Sequence, residues 1–454
     1  MKRKIIQQLK LWKDNPARKP LILLGARQVG KTWVMKHFGL TEFENVAYIN
    51  CDVEPLAKEL FAADYNIPRI LLTLQAITGT KIEAGKTLIV FDELQEVERG
   101  LHSLKYFQEN APEYHVMAAG SLLGITLGKG QSFPVGKVNV MHLYPMDFEE
   151  FLMAAGETDL CDLLHQPDWE ILKILSLKYV DLLRQYYYVG GMPEVVDCFF
   201  QHQNLQEVRD KQTEILDAYR RDISKHTTPT ESIRIGQVLQ SLPSQLAKEN
   251  KKFQYSKVKP GGRGETYLGS LQWLEDAGII CRCYNTDITG LPMEGNAKDN
   301  VFKVYTADIG LLIEMLGPGT RADILQGNLG GFKGAIFENL MADTLHKKQQ
   351  SLYYFLKDSG LELDFLVRMK GECVPLEVKA KTAQAKSVQT VLKHADKYHV
   401  KHIIKFGDYN VGREGQLLTL PNYMQFLLDL EPEEIILKPT DVDAVNAIAK
   451  KILG

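Results

Sequence analysis

Short apolar runs dominate the first third of the chain. Pro20-Leu-Ile-Leu-Leu24, Asn45-Val-Ala-Tyr-Ile-Asn50, Lys86-Thr-Leu-Ile-Val-Phe91 and His115-Val-Met-Ala-Ala119 are each too short for a helix and bounded by polar residues. Runs without alternation predict strands buried on both faces, as in a parallel sheet. Trp33 to Phe38 reads as a helix directly after the first of them. The alternation of strand and helix predicts a doubly wound α/β domain over residues 1–155. Over 156–228 Leu, Tyr and charged residues recur at helical spacing, broken at Gly190-Gly-Met-Pro193, which predicts a helical lid.

The pattern changes twice more. Over 229–320 a helix (Ile233 to Leu246), a short basic segment, an amphipathic helix (Glu265 to Gly278) and two strands (Ile279 to Tyr284, Val301 to Tyr305) predict a winged helix-turn-helix. Over 321–430 a helix from Ala335 to Leu345 precedes three strands, Leu352 to Leu356, Leu363 to Val367 and Val374 to Lys379. A helix from Lys386 to Tyr398 and a strand from His402 to Phe406 complete a C-terminal α/β domain. The tail, 431–454, is acidic and then briefly helical, with no chemistry attached to it.

A length of 454 residues exceeds one hydrophobic core, in line with several domains. Hydrophobic residues make up 45% and charged residues 24%, the balance of a soluble protein, and no apolar run approaches the roughly 20 residues that span a bilayer. The basic start, Met1-Lys-Arg-Lys, leads into an amphipathic stretch and not a signal peptide's apolar core. Six scattered cysteines, Cys281 and Cys283 the closest pair, complete no zinc pattern and point to reduced thiols in a cytoplasm. A net charge of −3 excludes a chain that is basic throughout but leaves room for a local basic groove.

Gly25-Ala26-Arg27-Gln28-Val29-Gly30-Lys31-Thr32 fits the phosphate-binding loop without a mismatch, between a strand and a helix. Glycines let successive N–H groups turn toward a polyphosphate at a positive helix end. The pattern predicts that Lys31 reaches the β/γ-phosphates and that the Thr32 hydroxyl ligates Mg²⁺, with ATP or GTP as ligand. Asp92 and Glu93 end an apolar strand at the carboxyl edge, where Asp92 serves the metal and Glu93 polarises water. Ser121, after the next strand, is a candidate γ-phosphate sensor or a turn serine.

These motifs, with Phe91-Asp-Glu-Leu-Gln95, Leu143-Tyr-Pro-Met-Asp-Phe-Glu-Glu-Phe151, Gly190-Gly-Met-Pro193 and Tyr219-Arg-Arg-Asp-Ile223, resemble the prokaryotic AAA-type, STAND-like P-loop ATPases. The resemblance implies ATP with Mg²⁺ and a C-terminal domain of unknown function, number 4143, that looks like the PD-(D/E)xK nuclease fold. It departs at Lys137, where the group usually has an arginine that can act in trans. Lysine lacks that planar fork, and a solvated loop lysine is the competing reading. Arg220 and Arg221 read as a solvated helix face or as phosphate sensors.

Lys251, Lys252, Lys257, Lys259 and Arg263 gather before the Glu265–Gly278 helix, where DNA phosphates would lie. That helix carries Gln272 alone for base edges, so backbone contact and protein docking both fit. In the C-terminal domain a turn at Lys370-Gly371 sets Asp364 opposite Glu377, and alternation puts Lys379 on the face of Glu377. Asp364, Glu377 and Lys379, with Glu338 on the preceding helix, form a candidate nuclease site for a hard divalent cation. His394, His399 and His402 read as surface or packing residues. The expectation is a cytoplasmic ATPase that couples its cycle to non-specific DNA contact or processing, with homo-oligomers open and no membrane partner. A nucleotide-dependent signalling switch with an inactive, partner-binding C-terminal domain is the alternative.

Overall fold

The computed structural model describes residues 1–62, 64–120, 134, 136–166, 168–246, 252–328, 330–379 and 386–430. Ser121, Lys251 and the tail 431–454 therefore lie outside the described residues.

Five strands, β1 (Leu21–Leu24), β2 (Asn45–Asn50), β3 (Thr87–Asp92), β4 (His115–Ala119) and β5 (Asn139–His142), form a parallel sheet in the order β2-β3-β4-β1-β5. Alternate side chains enter different cores. Ile22, Ile89, Phe91, Val116 and Ala118 face the helices Ile67–Thr78 and Gly100–Asn110. Leu21, Leu23, Leu88, Val90 and Met117 face the helices Ile5–Asp14 and Lys31–Glu42. Helices on both faces explain the unbroken apolar runs. The order also sets β4 between β1, which leads into the phosphate loop, and β3, which ends in Asp92.

The second sheet has eight strands in the order β12-β13-β11-β10-β9-β8-β6-β7. These are β6 (Ile280–Thr286), β7 (Ala297–Thr306), β8 (Leu352–Leu356), β9 (Glu362–Met369), β10 (Glu372–Lys379), β11 (Ile403–Gly407), β12 (Gly412–Glu414) and β13 (Leu417–Pro421). The β6–β7 hairpin expected as a wing is antiparallel, but β6 also pairs in parallel with β8. The hairpin is thus the edge of the C-terminal sheet, and that sheet crosses the boundary expected at residue 320. The Lys370-Gly371 turn has both residues left-handed (φ 48° and 76°), and the ladder runs from Glu372↔Met369 to Leu376↔Phe365, one residue short of Glu377 and Asp364. The expected helix over Lys386–Tyr398 breaks at His394 into Lys386–Lys393 and Ala395–Tyr398.

Between the sheets lie the helices expected as a lid. Only part of that span faces the phosphate loop. Pro193–His202 and Leu205–His226 do so, whereas Ser176–Val189 packs on the end of the described chain, Tyr179 stacking on Tyr423 at 4.8 Å. One contiguous cluster of buried side chains runs from Ile5 to Leu430, joining one face of the parallel sheet to the central helices and one face of the second sheet.

Candidate functional site

The phosphate loop curls because three of its residues leave ordinary backbone space or tolerate unusual contacts. Gln28 (φ 65°) and Gly30 (φ 92°) are left-handed, and a Cβ on Gly25 would sit 2.2 Å from the Leu143 carbonyl oxygen. Arg3 braces the loop from behind, donating to the Val29 carbonyl at 2.9 Å and the Tyr144 carbonyl at 2.7 Å. Lys31 folds back to donate to the carbonyls of Gly25 and Ala26, both at 2.8 Å. Burial lowers its ammonium to about 8, with Glu93 and Asp92 working the other way. An incoming phosphate would supply the counter-charge this lysine lacks.

Asp92 is buried, and its Oδ2 accepts from the Thr32 hydroxyl at 2.6 Å and the Tyr48 hydroxyl at 3.0 Å. Glu93 follows in a left-handed conformation (φ 52°), and Gln95 donates to its Oε2 at 2.6 Å. A pocket of about 500 Å³ is lined by Gln28, Gly30, Lys31, Thr32 and Glu93, and across from them by Pro193, Glu194 and Asp197. Arg27, on the loop, pairs with Asp222, and Tyr219 donates to the Arg27 carbonyl at 3.3 Å. The Tyr219–Ile223 motif thus meets the loop through Tyr219 and Asp222, while Arg220 and Arg221 are exposed. Tyr48 and Arg3 were not singled out from sequence, and Tyr219 and Asp222 only as members of the Tyr219–Ile223 motif. Asp222 stood out as a polar residue at an inward position of Leu205–His226, while Tyr48 and Arg3, on other parts of the chain, left no such mark.

Lys137 does not join this pocket. It precedes β5, so it lies at the amino edge of the sheet, where it pairs with Glu109 at 2.8 Å.

The second constellation sits where the helix Lys333–Lys347 crosses the eight-stranded sheet. Every residue from Ala335 to Leu345 is buried, and Asn339 pins the helix to β7 by accepting from Thr306 N at 2.9 Å and donating to Thr306 O at 3.1 Å. Glu338 accepts from the Tyr305 hydroxyl at 3.1 Å. Asp364 accepts from the Val378 amide at 2.8 Å, which locks it to the strand carrying Glu377 and Lys379. Lys379 reaches Glu377 Oε1 at 2.6 Å, while Glu377 Oε2 is buried with no hydrogen-bond partner. Burial, reinforced by Asp364, raises Glu377 to about 8, against the pull of Lys379. Burial alone would lower Lys379, but Asp364, Glu377 and Glu338 together raise it.

A second lysine completes the cluster. Lys303 on β7 is 2% exposed and lies 2.7 Å from Glu362 and 3.8 Å from Glu338. Burial opposes its charge, yet Glu338, Glu362 and Asp364 raise it. Its signal was a lysine amid apolar neighbours in Val301 to Tyr305. The three acids share these lysines without closing into a cage. Among the described residues, the one group of three His, Cys, Asp or Glu side chains whose ligand atoms all lie within 4.8 Å of one another is Cys198, His202 and Glu207.

On the basic side, Lys252, Lys257, Lys259 and Arg263 are exposed around the turn before the helix Gly264–Asp276. Gln272 on that helix is engaged internally, donating to Asp276 at 2.7 Å and accepting from Arg282 at 2.5 Å. His394 and His399 are exposed and His402 half-buried.

Residues 17–152 match the family model described as an AAA domain. Residues 180–322 match a domain of unknown function (DUF8612), and residues 333–423 match another (DUF4143). The chain therefore carries a P-loop domain of the AAA ATPase type, followed by the DUF4143 domain. The structure is similar to a Walker-type ATPase of Pyrococcus abyssi at 14% identity and a TM-score of 0.42, covering 69% of this chain and 95% of that one. No curated protein matches the chain. No helix among the described residues is long and apolar enough to cross a membrane.

Proposed function

We propose that the chain is a Mg²⁺-dependent ATPase whose nucleotide cycle governs a nuclease-like site in the C-terminal domain, acting on DNA held through its backbone. In the phosphate loop, the N–H groups from Gly25 to Thr32 and the Lys31 ammonium would hold the phosphates. Thr32 Oγ1 and Asp92 Oδ2, two hard oxygens already in contact, suit Mg²⁺. Glu93 would orient the attacking water, and Ser121 would touch the γ-phosphate. Lys137, at the opposite edge of the sheet, would serve only in trans between copies.

One observation carries the C-terminal half of the reading: Glu338, Asp364, Glu377 and Lys379 converge on a helix and hairpin, with one Glu377 oxygen buried and unpartnered. The order helix, β8-β9-β10 meander, helices, and β11 parallel to β10 also supports the PD-(D/E)xK reading. Carboxylate oxygens fit a hard divalent cation, which when bound would acidify a water and neutralise phosphate charge. Lys379, half-buried at the mouth of the cluster, would position that water. Lys251, Lys252, Lys257, Lys259 and Arg263 would contact DNA phosphates, and the internal bonding of Gln272 favours contact without base readout.

A second reading has its own support. Lys303 and Lys379 already neutralise part of the acidic cluster, as in a site kept for structure and partner binding. The chain would then be a nucleotide-dependent assembly switch. Incubating the protein with plasmid and linear DNA, Mg²⁺ or Mn²⁺, with and without ATP, separates the two, with Lys31→Ala and Glu377→Ala in parallel. Cleavage lost in Glu377→Ala supports the first reading. No cleavage by wild type, with ATP turnover indifferent to DNA, removes it and leaves the switch.

A further inference from the structure

The helix Pro193–His202 ends at Gln203, whose left-handed backbone (φ 52°) turns the chain straight into the helix Leu205–His226. Cys198 and His202, four residues apart, share a face of the first helix. The turn brings Glu207, in the first turn of the second helix, back against them. Cys198 Sγ, a ring nitrogen of His202 and a Glu207 oxygen all lie within 4.8 Å of one another. Glu207 Oε2 meets His202 Nδ1 and lies 4.0 Å from the Cys198 sulfur. Its other oxygen accepts from the Asn204 carboxamide at 2.8 Å, so the carboxylate is held in place by a residue behind it.

We propose that Cys198, His202 and Glu207 bind a Zn²⁺-class divalent cation, with a solvent molecule as fourth ligand. A thiolate, an imidazole and a carboxylate suit a borderline-soft ion with tetrahedral preference and discriminate against Mg²⁺. The local charge attracts a cation: Glu194 and Asp197 add negative potential, and the opposing Lys211 is held by Glu194 at 2.9 Å and Glu214 at 3.0 Å. Burial and the same acids hold the free Cys198 thiol protonated, so the ion must displace that proton as it binds. Side chains of His202 and Glu207 are 53% and 45% exposed, which leaves the ion a path from solvent while Cys198 anchors it from the buried side. Asn204 is the positioning residue that orients the carboxylate. The site ties the two helices together at one end of Pro193–His202, whose opposite end, with Pro193 and Glu194, lines the nucleotide pocket. Metal binding therefore stiffens one wall of that pocket.

The test uses the full chain, reduced and stripped with a chelator, titrated with Co²⁺ as a spectroscopic substitute for Zn²⁺. Wild type gives a thiolate-to-cobalt charge-transfer band that Zn²⁺ abolishes and Mg²⁺ leaves intact. Thr32, Asp92 and the C-terminal carboxylates offer only oxygen and cannot produce that band. Cys198→Ser removes it. His202→Ala and Glu207→Gln, both changes at solvent-facing positions, weaken Co²⁺ binding at least tenfold, and Asn204→Ala by about tenfold. A wild type without the band in excess Co²⁺, a band surviving in Cys198→Ser, or unchanged affinity in both His202→Ala and Glu207→Gln overturns the proposal.

Discussion

Lys347 Nζ donates to the Met146 carbonyl oxygen at 3.1 Å, tying the helix that carries Glu338 to the segment that follows β5. The Met146 amide donates in turn to the Gly191 carbonyl at 2.6 Å, and Leu143, three residues earlier, places its carbonyl against Gly25 of the phosphate loop. Two short steps of backbone therefore separate the loop from the C-terminal helix. Lys347 also pairs with the buried Asp343 at 2.6 Å. Removing one partner of a buried pair strands the other charge, at about 3–5 kcal/mol where that group stays ionised. Lys347→Met is expected to lose stability toward that size in urea unfolding above about pH 7, where Asp343 is ionised, and Asp343→Asn with Lys347→Met to recover most of it. In the proposed cycle the double variant also keeps ATP turnover while losing nucleotide control of any DNA cleavage.

Asp343 makes the same junction sensitive to pH. Burial raises its carboxyl to about 7; Lys347 opposes the rise, and Asp308 and Asp147 add to it. The folded chain then holds a proton that the unfolded chain releases at about pH 4, near the ordinary value of 3.8. The unfolded state binds fewer protons in this window, so stability falls as pH rises from about 4 to 7, by at most about 1.4 kcal/mol per unit from this group. Asp343→Asn is expected to flatten that part of the stability profile. An unchanged slope counts against the assignment.

The phosphate-loop lysine gives a test in the opposite direction. Burial holds Lys31 at about 8 in the free protein. A bound polyphosphate favours its charged form, so nucleotide binding above about pH 8 should take up a proton. Calorimetry in buffers of different ionisation enthalpy measures that uptake directly. It should vanish near about pH 6, where Lys31 is already protonated, and in Lys31→Met if binding survives.

Much of this was legible in sequence, for identifiable reasons. The phosphate loop and the Asp92 strand were readable because buried parallel strands leave unbroken apolar runs and the loop chemistry is local. The β9–β10 register as far as Leu376↔Phe365 followed from a two-residue turn. β5 was not anticipated, because an edge strand half in solvent (Asn-Val-Met-His) carries no apolar run. Nor were β12, a three-residue exposed Gly-Arg-Glu, and β13, Leu-Leu-Thr-Leu-Pro, which shows no alternation of burial. The hairpin β6–β7 was foreseen, but not its pairing with β8, since parallel pairing across some seventy residues leaves no local mark. The contacts of Arg27 with Asp222 and of Lys303 with Glu362 are likewise long-range, and only the cost of burying a charge points toward them.

Lys303 and Lys379 face the same carboxylates from different depths, and their substitution should separate structure from chemistry. Lys303 is 2% exposed and serves Glu338 and Glu362. Lys303→Met leaves Glu338 buried without its cation and is expected to cost about 3–5 kcal/mol, read from chemical denaturation. Glu338→Gln with Lys303→Met should restore much of that loss, since neither charge then remains. Lys379 keeps 35% of its side chain in solvent, and its buried partner Glu377, raised to about 8, takes up a proton when the cation goes, so Lys379→Met should change stability little below about pH 8. If the cluster hydrolyses DNA, Lys379→Met removes cleavage while the melting profile stays near wild type. Lys303→Met also loses cleavage, but in proportion to its loss of folded protein. Equal destabilisation by both substitutions would mean that Lys379 is a structural counter-ion and that the C-terminal cluster holds the fold together without performing chemistry.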